Sequence, residues 1–156
     1  VMVVVIMLSY YKMAGLLAIA ALGVYVVLVL GGLAGIGTGA VLTVPGIAGL
    51  ILSVGMAVDA NVLIFERIRE ELDEGRATRT AVDEGFQHAM SAIVDANITT
   101  LITALILMQF GKGPVKGFAV TLSIGIVASF FSALFVTRSL FLFYLNGKKA
   151  SDRISI

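Results

Sequence analysis

No residue from Met13 to Val58 carries a charge, and that run decides what kind of fold the chain can adopt. A soluble domain needs roughly a quarter of its residues charged to clothe its surface. Here 59% of the residues are hydrophobic and only 13% charged. An apolar run that long fits a bilayer, where each helical crossing takes about 20 residues. The expected fold class is an all-α membrane protein, a polytopic transmembrane helix bundle. The net charge of +1 says little about nucleic acid, and no nucleic-acid partner is expected. The absence of cysteine excludes disulfides and thiol chemistry, and one histidine leaves no plausible metal site.

The apolar runs give one partial and four complete spans. A partial helix over about 1–11 ends at Tyr10-Tyr11-Lys12, an aromatic belt followed by a cation. It starts at Val1 as if already in mid-helix, so an upstream first helix and an outer domain are expected to be absent. Complete spans follow at about 13–33, 45–65, 92–110 and 118–145. Gly31-Gly32 and the glycines from Gly35 to Gly39 break the second, Pro45 opens the third, and Gly111 to Pro114 turn the chain into the last. Residues 67–91 read as a connector of two short helices, with Gly75 ending the first and Thr78 or Thr80 capping the second. Val82, Phe86, Ala89, Met90 and Ile93 form an apolar stripe at helical spacing, which predicts a helix lying on the membrane surface. His88 reads as a residue of its polar face.

Lys12, Arg67, Arg69, Arg76, Arg79, Lys148, Lys149 and Arg153 fall on one side of this topology, and only Lys112 and Lys116 on the other. The positive-inside rule makes the connector and the C-terminal tail cytoplasmic. Arg138 reads as an interfacial anchor.

Asp59 interrupts the apolar run before it has ended. A carboxylate there is costly, about 2.5–3.5 kcal/mol on insertion scales, so it is a functional candidate by default. Its surroundings, Val58-Asp59-Ala60-Asn61-Val62, recur almost intact as Val94-Asp95-Ala96-Asn97-Ile98. The copies lie on consecutive antiparallel helices and are expected to approach each other. Within each copy Asp and Asn point about 160° apart on a helix, so each motif addresses two neighbours. Asp95 heads a polar stripe with Thr99 and Thr103 that is expected to run toward the bundle centre. Gly49, Ser53 and Gly55 on one helix, and Gly125 and Ser129 on another, are small residues suited to close packing. Their number exceeds what one small bundle requires, which predicts a partner in the membrane.

The run at 45–76, PGIAGLILSVGMAVDANVLIFERIREELDEGR, resembles the fourth transmembrane helix and following segment of the SecD/SecDF protein-export family, within the resistance-nodulation-division superfamily. DANITTLITA at 95–104 and FGKGPVKGFAVTLSIGI at 110–126 resemble that family's next two helices. The resemblance implies the last five of six transmembrane helices of a plasma-membrane (inner-membrane) subunit, bacterial or archaeal. It implies a non-enzymatic role beside the Sec translocation channel and ATPase, assisting preprotein clients with the proton gradient and using no cofactor besides the proton. It makes Asp59 the proton carrier, with Asn61, Asp95, Asn97, Thr99 and Thr103 along its path. The countercharge would be an Arg of a SecF-like subunit. Efflux relatives carry an Asp-Asp pair here, and Asp59-Ala60-Asn61 disfavours that branch. Physical chemistry points the same way: desolvation favours the neutral form of a carboxylic acid, and an approaching cation reverses it.

Two other classes fit the acids less well. An intramembrane aspartyl protease would use Asp59 and Asp95 as a dyad, but its Gly-x-Gly-Asp signature is missing. A structural scaffold would need neither acid to titrate.

Overall fold

The computed structural model describes residues 2–35 and 43–146, and every regular element within them is helical. Four long helices form the frame: α1 (Met2–Gly35), α2 (Val44–Asp73), α3 (Thr78–Phe110) and α4 (Pro114–Phe131). A π-helical turn, Ser132–Thr137, joins α4 to the short α5 (Arg138–Asn146). Among the described residues, four stretches are long and apolar enough to cross a membrane: Val5–Gly35, Val44–Asp73, Thr78–Phe110 and Pro114–Leu145. The protein is an all-α, multi-pass membrane chain.

α1 bends sharply at Lys12, whose φ of 43° and ψ of −108° lie outside helical space. A Cβ added at Gly15 would collide with the carbonyl of Met7. In a straight helix those residues would stand roughly 12 Å apart along the axis. The chain therefore folds back at Lys12, with a short arm before it and a long arm after it. The break expected at Gly31-Gly32 does not occur, because α1 continues to Gly35. Tyr25 and Val29 are buried just before it, and Gly32 lies against Ile124. That packing outweighs the glycine penalty of about 1 kcal/mol per residue. Gly37 and Gly39 lie outside the described residues, as do Lys148, Lys149 and Arg153.

The connector expected over 67–91 is corrected most. α2, capped by Thr43 Oγ1 accepting from the Gly46 amide at 3.2 Å, runs unbroken through Asp59 to Asp73. Only residues 74–77 separate it from α3, and Gly75 turns the chain at φ 85°. Neither Thr78 nor Thr80 is the cap; that position belongs to Ala77, which offers no side-chain bond. The stripe Val82, Phe86, Ala89 and Ile93 is not spread on a membrane surface but buried with Ile64, Phe65 and Ile68 of α2. Gly85 allows this, since any Cβ there would strike the Ile68 backbone. The two helices thus remain paired as far as the turn.

Charges lock that end. Buried Glu71 meets His88 Nδ1 at 2.7 Å through one oxygen and Arg76 Nε at 2.8 Å through the other. Arg76 also pairs with Glu84. His88 is therefore a partner of Glu71 rather than a plain polar-face residue. Arg138 pairs with Asp83 at 3.4 Å, which ties α5 to the start of α3.

Most of the small-residue series is used in contacts within the chain itself. Gly49 lies on the Phe118 carbonyl, Ser53 lies on Gly125, and Asn61 meets Thr137. The span expected as one helix over 118–145 starts at Pro114 and is interrupted by the π turn.

Candidate intramembrane acid site

Each Asp-Ala-Asn motif divides its two polar residues between opposite faces of its helix. Asn61 and Asn97 are buried, whereas Asp59 and Asp95 are exposed on the surface of the chain. Asn61 Oδ1 accepts a hydrogen bond from Thr137 Oγ1 at 2.8 Å. Asn97 donates through Nδ2 to the Ile93 carbonyl at 2.7 Å, and Ser129 Oγ lies 3.5 Å from its Oδ1. The asparagines therefore anchor α2 and α3 to the last span, and the acids are left outside.

The two motifs meet at a groove of about 160 Å³ between α2 and α3. Met56, Asp59, Ala60 and Leu63 line one wall; Ala92, Ile93, Ala96 and Asn97 line the other. The small Ala92 and Ala96 create the space opposite Asp59. Among the described residues neither acid makes an ion pair or a carboxylate hydrogen bond, and none joins Asp59 to Asp95, as a proton-sharing dyad would require. Asp95 opens onto a second, shallower groove with His88, Ser91 and Ile98, which shares Ala92 with the first.

Thr99 and Thr103 do not extend a line toward the bundle centre. Both are exposed, and their hydroxyls bond back to the carbonyls of Asp95 and Thr99 on their own helix, at 2.9 and 3.1 Å. α3 simply turns that face outward, because Asn97 and Ala104 take the inner one. Of the small residues, Gly49, Ser53, Gly125 and Ser129 pack inside the chain. Gly55 does not: a Cβ there would have nothing within 4 Å among the described residues. It shares the outward face of α2 with Asp59.

Two features had little sequence signal. Tyr25 is fully buried and donates to Ser53 Oγ at 2.7 Å, closing the α1–α2 contact. The π turn brings Ser132 Oγ to the Ala21 carbonyl at 2.9 Å and Thr137 to Asn61. Only the four-residue spacing of Thr121, Gly125, Ser129, Ala133 and Thr137 hinted at it. Each such step overshoots a full turn by about 40°. A wider π turn rotates less per residue and returns Thr137 toward α2.

The pattern of a family described as protein export membrane protein SecD/SecF, C-terminal, matches residues 1–147. The chain belongs to this family. The match includes every acid and asparagine above. Within the SecD/SecF family, the protein translocase subunit SecD of Desulfurispirillum indicum is 59% identical over 90% of this chain and 27% of its own length. That of Calditerrivibrio nitroreducens is 54% identical over 99% of this chain and 29% of its own. The chain thus spans under a third of these curated relatives. A crystal structure of SecDF in a super-membrane-facing form superposes with a TM-score of 0.89 at 47% identity, covering 94% of this chain and 20% of that one. A second, of SecDF from Thermus thermophilus, described as a translocon-associated membrane protein, gives 0.87 at 46% identity, covering 93% and 20%.

Proposed function

We propose that this chain is the membrane-embedded C-terminal part of a SecD-type export subunit, and that Asp59 carries a proton whose passage helps draw preproteins across the membrane. One observation supports this reading above the others: Asp59 stands unpaired among the described residues in the groove where the two motifs meet, while Asn61, two residues on, is tied into the core. An acid outside and an anchor inside let a change of charge act on the α2–α4 contact. One charge crossing the membrane field releases about 2.3 kcal/mol per 100 mV, enough to bias a two-state equilibrium about fiftyfold.

The countercharge comes from outside the chain. Arg138 is engaged with Asp83, and no described cation pairs with Asp59. A SecF-like partner carrying an intramembrane Arg would dock on the face of Gly55 and Asp59. The subunit works without enzymatic activity or a cofactor other than the proton, beside the translocation channel and its ATPase. It sits in the bacterial or archaeal plasma membrane with the α2–α3 turn, and Arg67, Arg69, Arg76 and Arg79 around it, on the cytoplasmic side. Asp95 serves as an entry point for water and protons, with Asn97, Thr99 and Thr103 beside it.

The test is Asp59→Asn in the full-length subunit with its partner, in inverted vesicles. The expected result is normal assembly and ATP-driven translocation with loss of gradient stimulation. Gradient stimulation at the wild-type level would refute the proton-carrier role.

A further inference from the structure

The polar contacts around the π turn form a unit that the acid groove does not explain. Thr137 and Ser132 are buried at 0% and 2% exposure, and Asn61 at 3%. The single hydroxyl proton of Thr137 has two acceptors in reach: Asn61 Oδ1 at 2.8 Å on α2, and the Ser132 carbonyl at 3.3 Å on its own helix. The first bond holds two helices together. The second is local and leaves Asn61 free to turn. Ser132 Oγ is itself fixed to the Ala21 carbonyl of α1 at 2.9 Å, so the start of the turn is pinned while its end faces α2. α5 begins directly after Thr137, and Arg138 carries the contact with Asp83 near the α2–α3 turn.

An interruption of this kind is also mechanically soft. The π register lacks the regular i→i−4 bonding of the helices on either side, and such turns occur as single insertions in otherwise α-helical segments, frequently at functional sites. Closing it to α register would rotate Thr137 relative to Ser132 without unfolding either helix.

We propose that Thr137 is a positioning residue for the Asp59–Asn61 segment: its hydroxyl exchanges Asn61 Oδ1 for the Ser132 carbonyl, and the π turn is the element whose register answers the state of Asp59. The proposal rests on the proton-carrier reading of Asp59. α2 links the two ends directly, since Asp59 and Asn61 lie within one turn on opposite faces. A rotation of that turn that draws Asp59 toward a cation outside withdraws Asn61 from Thr137. The freed hydroxyl is then caught by Ser132 instead of being left unbonded in an apolar core, where an unsatisfied group is expensive.

The experiment uses the full-length subunit with its partner in inverted vesicles, scored as gradient-stimulated translocation per assembled complex. Thr137→Val removes the hydroxyl at constant shape and should lower the stimulated part about three- to twentyfold, the range that loss of one interhelical hydrogen bond in a membrane corresponds to. ATP-driven translocation should be unchanged, and Thr137→Ser should restore stimulation. In an Asn61→Ala background Thr137→Val should add nothing. Deletion of the exposed Phe135, which removes the extra residue of the turn while leaving Thr137 and Asn61 in place, should also abolish stimulation; this arm decides the matter if Thr137→Val does not assemble. Full stimulation in the assembled Phe135 deletion, or in assembled Thr137→Val, with Asp59→Asn inactive in the same assay, overturns the proposal alone. Stimulation retained in Asp59→Asn overturns both readings.

Discussion

Gly125→Ala is the sharpest test of how α2 and α4 are held. A Cβ on Gly125 would meet both Oγ and Cβ of Ser53 closer than real side chains approach, and Tyr25 Oη at 3.4 Å. Neither neighbour can step aside. Ser53 and Tyr25 are both fully buried and are bonded to each other at 2.7 Å, and Ser53 also donates to the Leu50 carbonyl at 2.9 Å. The helices must part, and overpacking of that kind costs about 1–3 kcal/mol. Alanine also gains up to about 1 kcal/mol over glycine in helix propensity, which masks part of the cost. Gly55→Ala isolates that gain, because nothing among the described residues lies within 4 Å of its Cβ. Gly125→Ala should therefore be less stable than Gly55→Ala by about 1–3 kcal/mol, a factor of about 5 to 150 in the folded-to-unfolded ratio. Equilibrium unfolding of the purified full-length subunit in mixed micelles reads the difference directly. Equal stability of the two variants would show that the small-residue faces are not in contact as described.

Tyr25→Phe should cost about 0.6–1.7 kcal/mol in the same unfolding assay, since it removes one buried interhelical hydrogen bond and no volume. Arg76→Ala leaves the buried Glu71 and its neighbour Glu84 without their shared cation, and should cost about 1–3 kcal/mol. Limited proteolysis at residues 74–77 should accelerate with it, and an unchanged cleavage rate would argue against the charge lock. Asp95→Ala should slow gradient-stimulated translocation partially and less than Asp59→Ala does; equal and complete loss at unchanged protein level would mean that the two acids work as one coupled site.

Hydropathy alone determined that the chain is a bundle of membrane helices, because bilayer thickness leaves few alternatives for uncharged runs of this length. The opposed Asp and Asn of each motif were equally legible, since helical geometry fixes the angle between residues two apart. The packing stripes were visible too, but not what they pack against: spacing shows which residues share a face, and only tertiary contacts reveal that Ser53 meets Gly125 and that Gly55 meets nothing among the described residues. The Val82–Ile93 stripe failed for the same reason. An apolar face reads alike whether membrane or protein covers it, and Gly85 against Ile68 decided for protein. Thr99 and Thr103 were a polar line whose direction depended on which face of α3 turned inward, and Asn97 took that face. The π turn lay furthest from sequence. It sits where Thr137 meets Asn61 on another helix, a contact seventy-six positions away in sequence that no local propensity records.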